Sequence, residues 1–390
     1  MTGMLVFTAA SLFSGFASGA TELIAARGAQ GVGAALMTPA ALSLIMTTYQ
    51  GTQRAKGLAL WGAIGGLGIA AGVVVGGALT TWAGWQAIFW VNVPIGVAAL
   101  VAAARILPRE TASPKTFAQF DTIGAGTLVS GLGMLMFAIS GTESHGWTSA
   151  RTVLALAAAA ALLTGFVVAE RRSAQPLVHP HTWSIKSLVS GTAVMLGVTG
   201  VLVGAVFLGS IFFQTVLGYS ALRAGLAFLP LAAALVVGTH VAAHVSAHLS
   251  ARVIAGTGLV IASGGSLLLA QATSDASYVA NLLPGLVILG LGAGMVFVAV
   301  SASAMGGIPD SHAGMASGFM MTGHEVGAAL GVAVISAIAT SAGALTTAAG
   351  AADAFSRGFE AAAVLAIAFA AFAVVRMPAT GGGGGQMHMH

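Results

Sequence analysis

Long apolar runs recur from one end of the chain to the other, and they restrict the possible folds more than any other feature. Residues 23–47 and 279–305 are typical, since each is longer than 20 residues and carries at most one charge. A helix of about 20 apolar residues crosses the hydrocarbon core of a bilayer. Twelve such spans are predicted, at residues 3–20, 23–47, 56–81, 86–106, 122–140, 151–170, 185–213, 222–248, 252–272, 279–305, 313–343 and 357–376.

The composition agrees with this interpretation. Hydrophobic residues make up 57% of the chain and charged residues 6%, whereas a soluble domain has about 25% charged residues. The runs are rich in Gly, Ala and Leu without the period-two alternation of a transmembrane barrel. The sequence therefore predicts an all-α polytopic membrane protein.

The net charge of +4 does not indicate nucleic-acid binding, because the basic residues are scattered and form no phosphate-binding face. They instead favour one set of loops. If Met1 is cytoplasmic, the inside segments hold Arg54, Lys56, Arg105, Arg109, Lys115, Arg171, Arg172, Lys186, Arg252 and Arg376, and the outside loops hold Arg151, Arg223 and Arg357. This bias predicts a cytoplasmic membrane protein with both termini inside.

Two of the charged positions within predicted spans are candidate functional residues. Arg27 is either paired and functional or close enough to the span's outer end to reach the interface by snorkelling. Glu325, beside His324, lies about twelve residues into its span, near the bilayer midplane. A carboxylate there suits a site that takes up and releases a proton, and the alternative is a buried Glu neutralised in a structural hydrogen bond.

Glycines and histidines form two further patterns. Gly68, Gly72 and Gly76 are four residues apart and predict a face on which another helix packs closely. His240, His244 and His248 have a similar spacing and predict a polar stripe, with a proton relay or a weak pairwise metal site as alternatives.

Enzymatic chemistry has no support in the sequence. There is no Walker motif, no Ser/His/Asp set and no paired carboxylates, and the chain has no cysteine. The sequence from Gly66 to Ala71 matches a dinucleotide fingerprint only formally, because no strand precedes it. We therefore predict neither an enzyme nor a metal site nor a bound cofactor.

An internal repeat suggests two related halves. Gln30 to Ala34 aligns with Leu289 to Ala293, and the residues after each also align. Three spans precede the matched span in the second half and one in the first, which leads us to expect two further helices before the first span. No Lys or Arg precedes Arg27, which agrees with that expectation.

The predicted domains follow from the spans. Residues 1–106 form an incomplete N-terminal half with four spans, and 107–121 form a cytoplasmic linker. Residues 122–170 form two extra linking spans, 171–376 a C-terminal half with six spans, and 377–390 a flexible tail rich in Gly, His and Met.

Several segments resemble the major facilitator superfamily, within it the fourteen-helix drug:proton antiporters. The sequence from Leu23 to Ala35 is similar to that family's helix-four motif l-x-x-x-R-x-x-Q-G-x-G-a-a, and Gly68 to Gly77 resembles its antiporter motif G-x-x-x-G-P-x-x-G-G. Val73 replaces the proline of that motif, and the family's first two helices have no counterpart. Trp85 to Gly96 looks like the opening of helix six.

The resemblance implies a two-half helical bundle that exports hydrophobic or cationic compounds by alternating access in exchange for protons. Small molecules, protons and membrane lipid are the expected partners, and the proton gradient replaces a cofactor. It implies proton coupling for Arg27, to which we add His324 and Glu325 by inference. It also implies gating or helix contact for Gln30, Gly31, Gly33, Gly68, Gly72, Gly76 and Gly77.

The substrate cavity is the least constrained part of the prediction. Its candidate lining residues are Trp61, Gln214, Met320 and Met321, which could equally face lipid or protein core. The alternative to transport is a truncated, inactive membrane protein that acts only through helix packing or partner binding. A channel is disfavoured, because no ring of charges or filter loop is visible.

Overall fold

The computed structural model describes residues 1–49, 53, 57, 60, 68, 72, 74–107, 121–173, 176–178, 180–306, 308 and 313–379. Within these residues the ordered backbone is helical and forms no β-strand. Nine helices in the described part are long and apolar enough to cross a membrane. The predicted all-α polytopic membrane class is therefore confirmed.

The helices divide into two compact units, which are considered one at a time. The first unit contains Met1–Pro114 and Tyr219–Ala227. Its described helices are α1 (Thr2–Phe16), α2 (Ala20–Thr48), α3 (Val74–Ala83), α4 (Ala87–Trp90), α5 (Asn92–Ile106) and α11 (Ala221–Ala227).

The second unit contains Lys115–Gly218 and Phe228–His390. It begins with α6 (Thr122–Ser140), α7 (Thr142–His145), α8 (Ala150–Arg172), α9 (Pro180–Ser184) and α10 (Lys186–Ile211), which runs into a π-helical turn at Phe212–Val216. It continues with α12 (Leu229–Val245), α13 (Ala251–Leu269), a second π turn at Tyr278–Leu282, α14 (Leu283–Met305), α15 (Ala313–Thr340) and α16 (Ala348–Arg376).

The nine membrane-competent helices correspond to nine predicted spans, from 86–106 to 357–376. Helix α16 begins at Ala348, so Arg357 lies inside a helix and not in the loop where the sequence placed it. Its guanidinium bonds Glu360 one turn later, at 2.9 Å. An i,i+3 ion pair keeps both charges compatible with the helix.

Helix α1 is the centre of the first unit. Thr8, Ser11 and Ser14 are buried on it, although the helix is short. A Cβ atom added to Gly33 of α2 would lie 2.5 Å from the backbone nitrogen of Phe7, so only glycine lets the two backbones come this close. On another side of α1, Thr8 packs against Gly96 of α5.

The core of the second unit lies among α10, α13, α14 and α16. Val198, Leu259, Val296 and Ala373 are fully buried there and belong to one apolar cluster. Helix α15 packs along α10, where a Cβ atom on Gly331 would overlap the Cα atom of Gly200. Small residues at such crossings allow the close packing that holds helices together in lipid.

The aligned glycines of the internal repeat can be compared directly. Gly33 lies against the backbone of α1, and its aligned residue Gly292 lies against the backbone of α13 at Gly258. Both glycines thus contact the helix that precedes their own. The neighbouring pair differs, since Gly290 touches the carbonyl of Leu231 on α12 whereas no described residue would contact a Cβ atom on Gly31.

Candidate functional site

Arg27 lies at the end of the second turn of α2, and its side chain is exposed on the surface of the protein. Its guanidinium donates a hydrogen bond to the side-chain oxygen of Gln30, and it lies over the ring of Phe89 with 5.7 Å between Cζ and the ring centroid. Gln30 is one turn further from the amino end of α2. The guanidinium thus has a hydrogen-bond partner on its own helix and a ring contact with Phe89.

Gln30 connects this cation to the interior of the unit. The residue is 2% exposed. Its side-chain nitrogen donates to the hydroxyl oxygen of Ser11 on α1, which is fully buried. The same oxygen receives a longer hydrogen bond of 3.4 Å from the side-chain nitrogen of Asn92. Arg27, Gln30, Ser11 and Asn92 thus form one network across α2, α1 and α5.

This network holds a permanent positive charge in a defined place. A guanidinium keeps its proton in proteins, so Arg27 acts through its field and its donors rather than by releasing a proton. The amide of Gln30 is satisfied on both sides, which fixes its orientation. Such a cation stabilises the charged form of a nearby acid or an anionic group.

Sequence reasoning missed three members of this cluster. Phe89 and Asn92 belong to the segment that resembles the opening of helix six, but neither was assigned a role. Ser11 carried only the weak signal of a hydroxyl in an apolar run. Its partners are 19 and 81 residues away, and only the tertiary structure brings them together.

The candidate gating glycines fall into two groups. Gly33 and Gly77 make close contacts: a Cβ atom on Gly77 would lie 2.8 Å from the carbonyl oxygen of Ala221 in α11. Nearby, the hydroxyl of Thr81 accepts a hydrogen bond of 3.1 Å from the backbone of Leu222. No described residue lies within 4 Å of a Cβ atom placed on Gly31, Gly68, Gly72 or Gly76, so the packing face predicted there stays a prediction.

His324 lies in the middle of α15 and is half-buried. Its Nδ1 atom is 3.1 Å from the hydroxyl oxygen of Thr199, which is fully buried on α10. On another side the imidazole lies 6.1 Å from the ring of Phe297 on α14, measured between centroids. The residue is therefore held between two helices in one orientation.

Glu325 has a different environment although it is the next residue. It is exposed, and it forms no hydrogen bond or ion pair with the described residues. Successive residues on a helix point about 100° apart. The side chain of His324 therefore packs against neighbouring helices, whereas that of Glu325 lies on the exposed face of α15. Among the described residues, nothing supports the alternative of a buried Glu neutralised by a structural hydrogen bond.

The structure leaves the substrate-cavity prediction open. Trp61 lies outside the described residues. Gln214 is exposed in the first π turn, and its side-chain nitrogen bonds the carbonyl and hydroxyl of Ser210 at 3.0 and 2.9 Å. Met320 packs against two apolar clusters of the second unit, which is the behaviour of a core residue, and Met321 is half-buried.

The histidine stripe is wrong in one respect. Helix α12 ends at Val245, so His248 follows the helix and cannot continue the face of His240 and His244. All three are exposed, and Nδ1 of His240 bonds the carbonyl of Val236 at 2.8 Å. Within the described residues, no group of three His, Asp or Glu could hold a metal ion.

Comparison with known families gives a match over most of the chain. The Major Facilitator Superfamily matches residues 1–332. This range includes the Arg27 network and the His324 cluster.

Individual relatives extend the comparison. The chain is 35% identical over 336 residues to the cephamycin export protein of Amycolatopsis lactamdurans, covering 85% of this chain and 69% of the relative. It is 32% identical over 345 residues to a puromycin resistance protein of Streptomyces alboniger, covering 87% and 68%. It is 31% identical over 339 residues to a multidrug resistance protein of Mycobacterium tuberculosis, covering 87% and 62%.

A solved structure shares the fold. An auto-inhibited peptide transporter of the POT family aligns with a TM-score of 0.54 and 17% identity, covering 96% of this chain and 80% of that one. At this identity the likeness concerns the fold alone.

Proposed function

Because the chain belongs to the Major Facilitator Superfamily, we propose that it exports small hydrophobic or cationic compounds across the cytoplasmic membrane in exchange for protons. Transport would proceed by alternating access, with both termini on the cytoplasmic side. The observation that carries the coupling part is Glu325, an exposed carboxyl on a membrane-competent helix with no partner among the described residues.

The relatives support the substrate class. One is an export protein for cephamycin, and two others confer resistance to puromycin or to several drugs. All three names refer to antibiotics or drugs, which are small organic molecules. The chain spans between 62% and 69% of these relatives' length. The activity of the complete relatives is therefore extended to this chain as a proposal.

Glu325 is the proposed proton-binding group. An ionised carboxylate that meets neither a cation nor a hydrogen-bond donor is costly in a membrane, and protonation removes that cost. Binding of a cationic compound near the carboxylate would have the opposite effect and favour its ionised form. Exchange of one positive charge for another at this carboxyl is the simplest physical basis for antiport.

Arg27 and His324 have supporting roles in the proposal. Arg27 supplies a fixed positive field in the first unit, and its bond to Gln30 maintains the direction of that field. His324 is the residue next to Glu325 on α15, and Thr199 orients its ring. His324 would tune proton binding at Glu325, and neither Arg27 nor His324 is proposed to carry the cargo.

Reconstituted vesicles test this proposal. The full chain is placed in proteoliposomes with a trapped pH dye, and ethidium serves as a lipophilic cationic probe. We expect ethidium to evoke a proton movement that Glu325→Gln abolishes. Glu360→Gln is the matched control, because Glu360 is an exposed carboxylate on another membrane-competent helix and is already paired with Arg357.

Two results would contradict the proposal in different ways. Equal proton movement in wild type and Glu325→Gln would show that this carboxyl does not couple transport. If the folded wild type moves neither ethidium nor the antibiotics named for its relatives, the alternative of an inactive protein acting through helix packing or partner binding would be favoured.

A further inference from the structure

A cavity of about 290 Å³ lies in the second unit between the end of α13 and the start of α16, apart from the residues assigned to transport. Its volume is close to the lower end of the range of about 300 to 1,000 Å³ that small-molecule sites occupy. Ala270 and Ala272 line it just after α13, and Ala349 and Ala352 line it from the first two turns of α16. These alanines make part of its wall apolar.

Asp353 is the charged member of the lining. It is exposed, so a molecule that enters the cavity can reach its carboxylate. It forms no hydrogen bond or ion pair with the described residues. Arg357 follows one turn later on α16, but its guanidinium bonds Glu360 at 2.9 Å, further along the helix. The carboxylate of Asp353 is therefore left without a positive partner in the described part of the chain.

Two hydroxyl groups in the lining have already used their protons. The hydroxyl of Ser356 on α16 donates to the carbonyl of Ala270 at 2.6 Å, which joins the two walls of the cavity. The hydroxyl of Thr273 donates to Oδ1 of Asp275. A hydroxyl whose proton is donated elsewhere still has lone pairs that accept. Both side chains therefore offer acceptors to a ligand.

The charge around the cavity is negative. The hydrogen bond from Thr273 holds the pKa of Asp275 below its ordinary value, so a second carboxylate stays ionised two residues from the lining. None of the described lining residues is basic. A concave site with one sign of charge attracts ions of the opposite sign, which favours a cation as ligand.

The cavity lies where its two helices leave their apolar parts. Helix α13 ends at Leu269, and Asp353 precedes the apolar stretch 357–376 that the sequence predicts as a span. Thr273 and Ser274 line the cavity and are exposed. A water-soluble molecule can therefore enter without crossing the hydrocarbon.

We propose that this cavity binds the primary ammonium group of a small organic amine. The ammonium donates to the carboxylate of Asp353 and to a neighbouring hydroxyl oxygen, and a short aliphatic chain lies against the alanines. A quaternary ammonium has the same charge but no N–H donor for these acceptors. The site is separate from Glu325 on α15, so it does not depend on the proposed transport function.

A reporter beside the cavity tests the proposal without measuring transport. The chain has no cysteine, so Ala348→Cys, at an exposed position next to Ala349, carries a trifluoromethyl probe at a single place. Fluorine NMR of the full chain in choline-lipid nanodiscs follows titration with butylammonium, butyltrimethylammonium and butyrate. We expect butylammonium to bind about fivefold more tightly than butyltrimethylammonium, because only it makes a charge-assisted hydrogen bond at a partly exposed site. Butyrate should not bind.

Three variants in the reporter background locate the bound amine. Asp353→Asn should weaken butylammonium about fivefold and remove its advantage over butyltrimethylammonium. Glu325→Gln is the matched control, because it removes the same charge from another exposed carboxyl without a described partner, and it should keep the affinity of the unsubstituted chain. Ala349→Leu keeps the charge but fills the cavity, so it should weaken both cations alike.

Several results would overturn the proposal. Equal affinities for the two cations, or unchanged binding in Asp353→Asn, would show that this carboxylate does not hold an ammonium group. If Asp353→Asn does not fold, Ala349→Leu still decides, since undiminished binding there would place the amine outside the cavity. Loss of binding in Glu325→Gln would place it at the proposed proton-binding group instead. Ethanolamine lipid in the nanodisc should leave the affinity unchanged, and competition by it would show a site for a lipid headgroup rather than for a soluble amine.

Discussion

Gln30→Leu is the sharpest test of the network around Arg27. The change keeps most of the side-chain volume but removes both the acceptor of the Arg27 bond and the donor of the Ser11 bond. Ser11 is fully buried, and its remaining side-chain partner, Asn92, is at the long distance of 3.4 Å. The variant therefore leaves a buried hydroxyl poorly satisfied.

The size of the effect follows from the two bonds. Side-chain hydrogen bonds between membrane helices contribute about 0.6 kcal/mol on average and up to about 1.7. The Ser11 bond is buried and belongs to the upper part of this range, whereas the Arg27 bond involves an exposed charge and contributes less. We expect Gln30→Leu to lower the free energy of unfolding by about 1 to 2 kcal/mol.

A double-mutant cycle separates the network from general packing. Unfolding in mixed micelles is measured for Gln30→Leu, Ser11→Ala and the combination, and the two positions should couple by about 0.5 to 1.5 kcal/mol. Ser14→Ala is the matched control, because Ser14 is equally buried on α1 but bonds only the carbonyl of Ala10, at 2.9 Å. It should show no coupling to Gln30.

The reasoning is refuted if the Ser11 and Ser14 cycles give the same coupling energy. In that case Gln30 would act through its volume in the α1–α2 contact and not through its hydrogen bonds. The reasoning is also refuted if Gln30→Leu shifts the pH dependence of ethidium transport but leaves the free energy of unfolding unchanged. Gln30 would then act only through its hydrogen bond with Arg27.

Two remaining predictions concern packing and topology. Gly331→Ala should abolish a monodisperse folded peak in fluorescence-detected size exclusion, because the new methyl group would overlap Gly200, whereas Gly264→Ala, with nothing within 4 Å, should retain it; equal peaks would show that α10 and α15 separate freely. Since the chain has no cysteine, Ser274→Cys should react with an impermeant maleimide on intact cells and Ala247→Cys only after permeabilisation; the reverse would invert the proposed orientation.

The hydropathy pattern was a good guide to the helices because lipid leaves the backbone few choices. A membrane-spanning segment must satisfy its N–H and C=O groups internally, so a long apolar run is enough to predict a helix. The errors fall where this rule weakens. Helix α16 begins at Ala348, before the predicted start of its span, and α12 ends before His248, because near the ends of a span local turns and side-chain pairs set where the helix begins and ends.

The candidate site was only partly predictable. A charge in an apolar run is visible in the sequence, and it singled out Arg27 and Glu325. Whether the charge has a partner is not visible, since Gln30 meets Ser11 only where α1 packs on α2. Glu170 shows the same limit: it was counted as the end of a span, and its burial depends on the segment that folds back at Val178.

The sequence by itself therefore determined the class of protein, the places of most helices and the residues whose charge is expensive in lipid. These properties depend on the solvent and on local periodicity, which each segment carries alone. The tertiary structure decided which of these charges are paired: Arg27 on Gln30, His324 beside Thr199, Glu325 without a described partner, and Glu170 with one oxygen unsatisfied. Those outcomes depend on contacts between helices far apart in the chain, which no local pattern specifies.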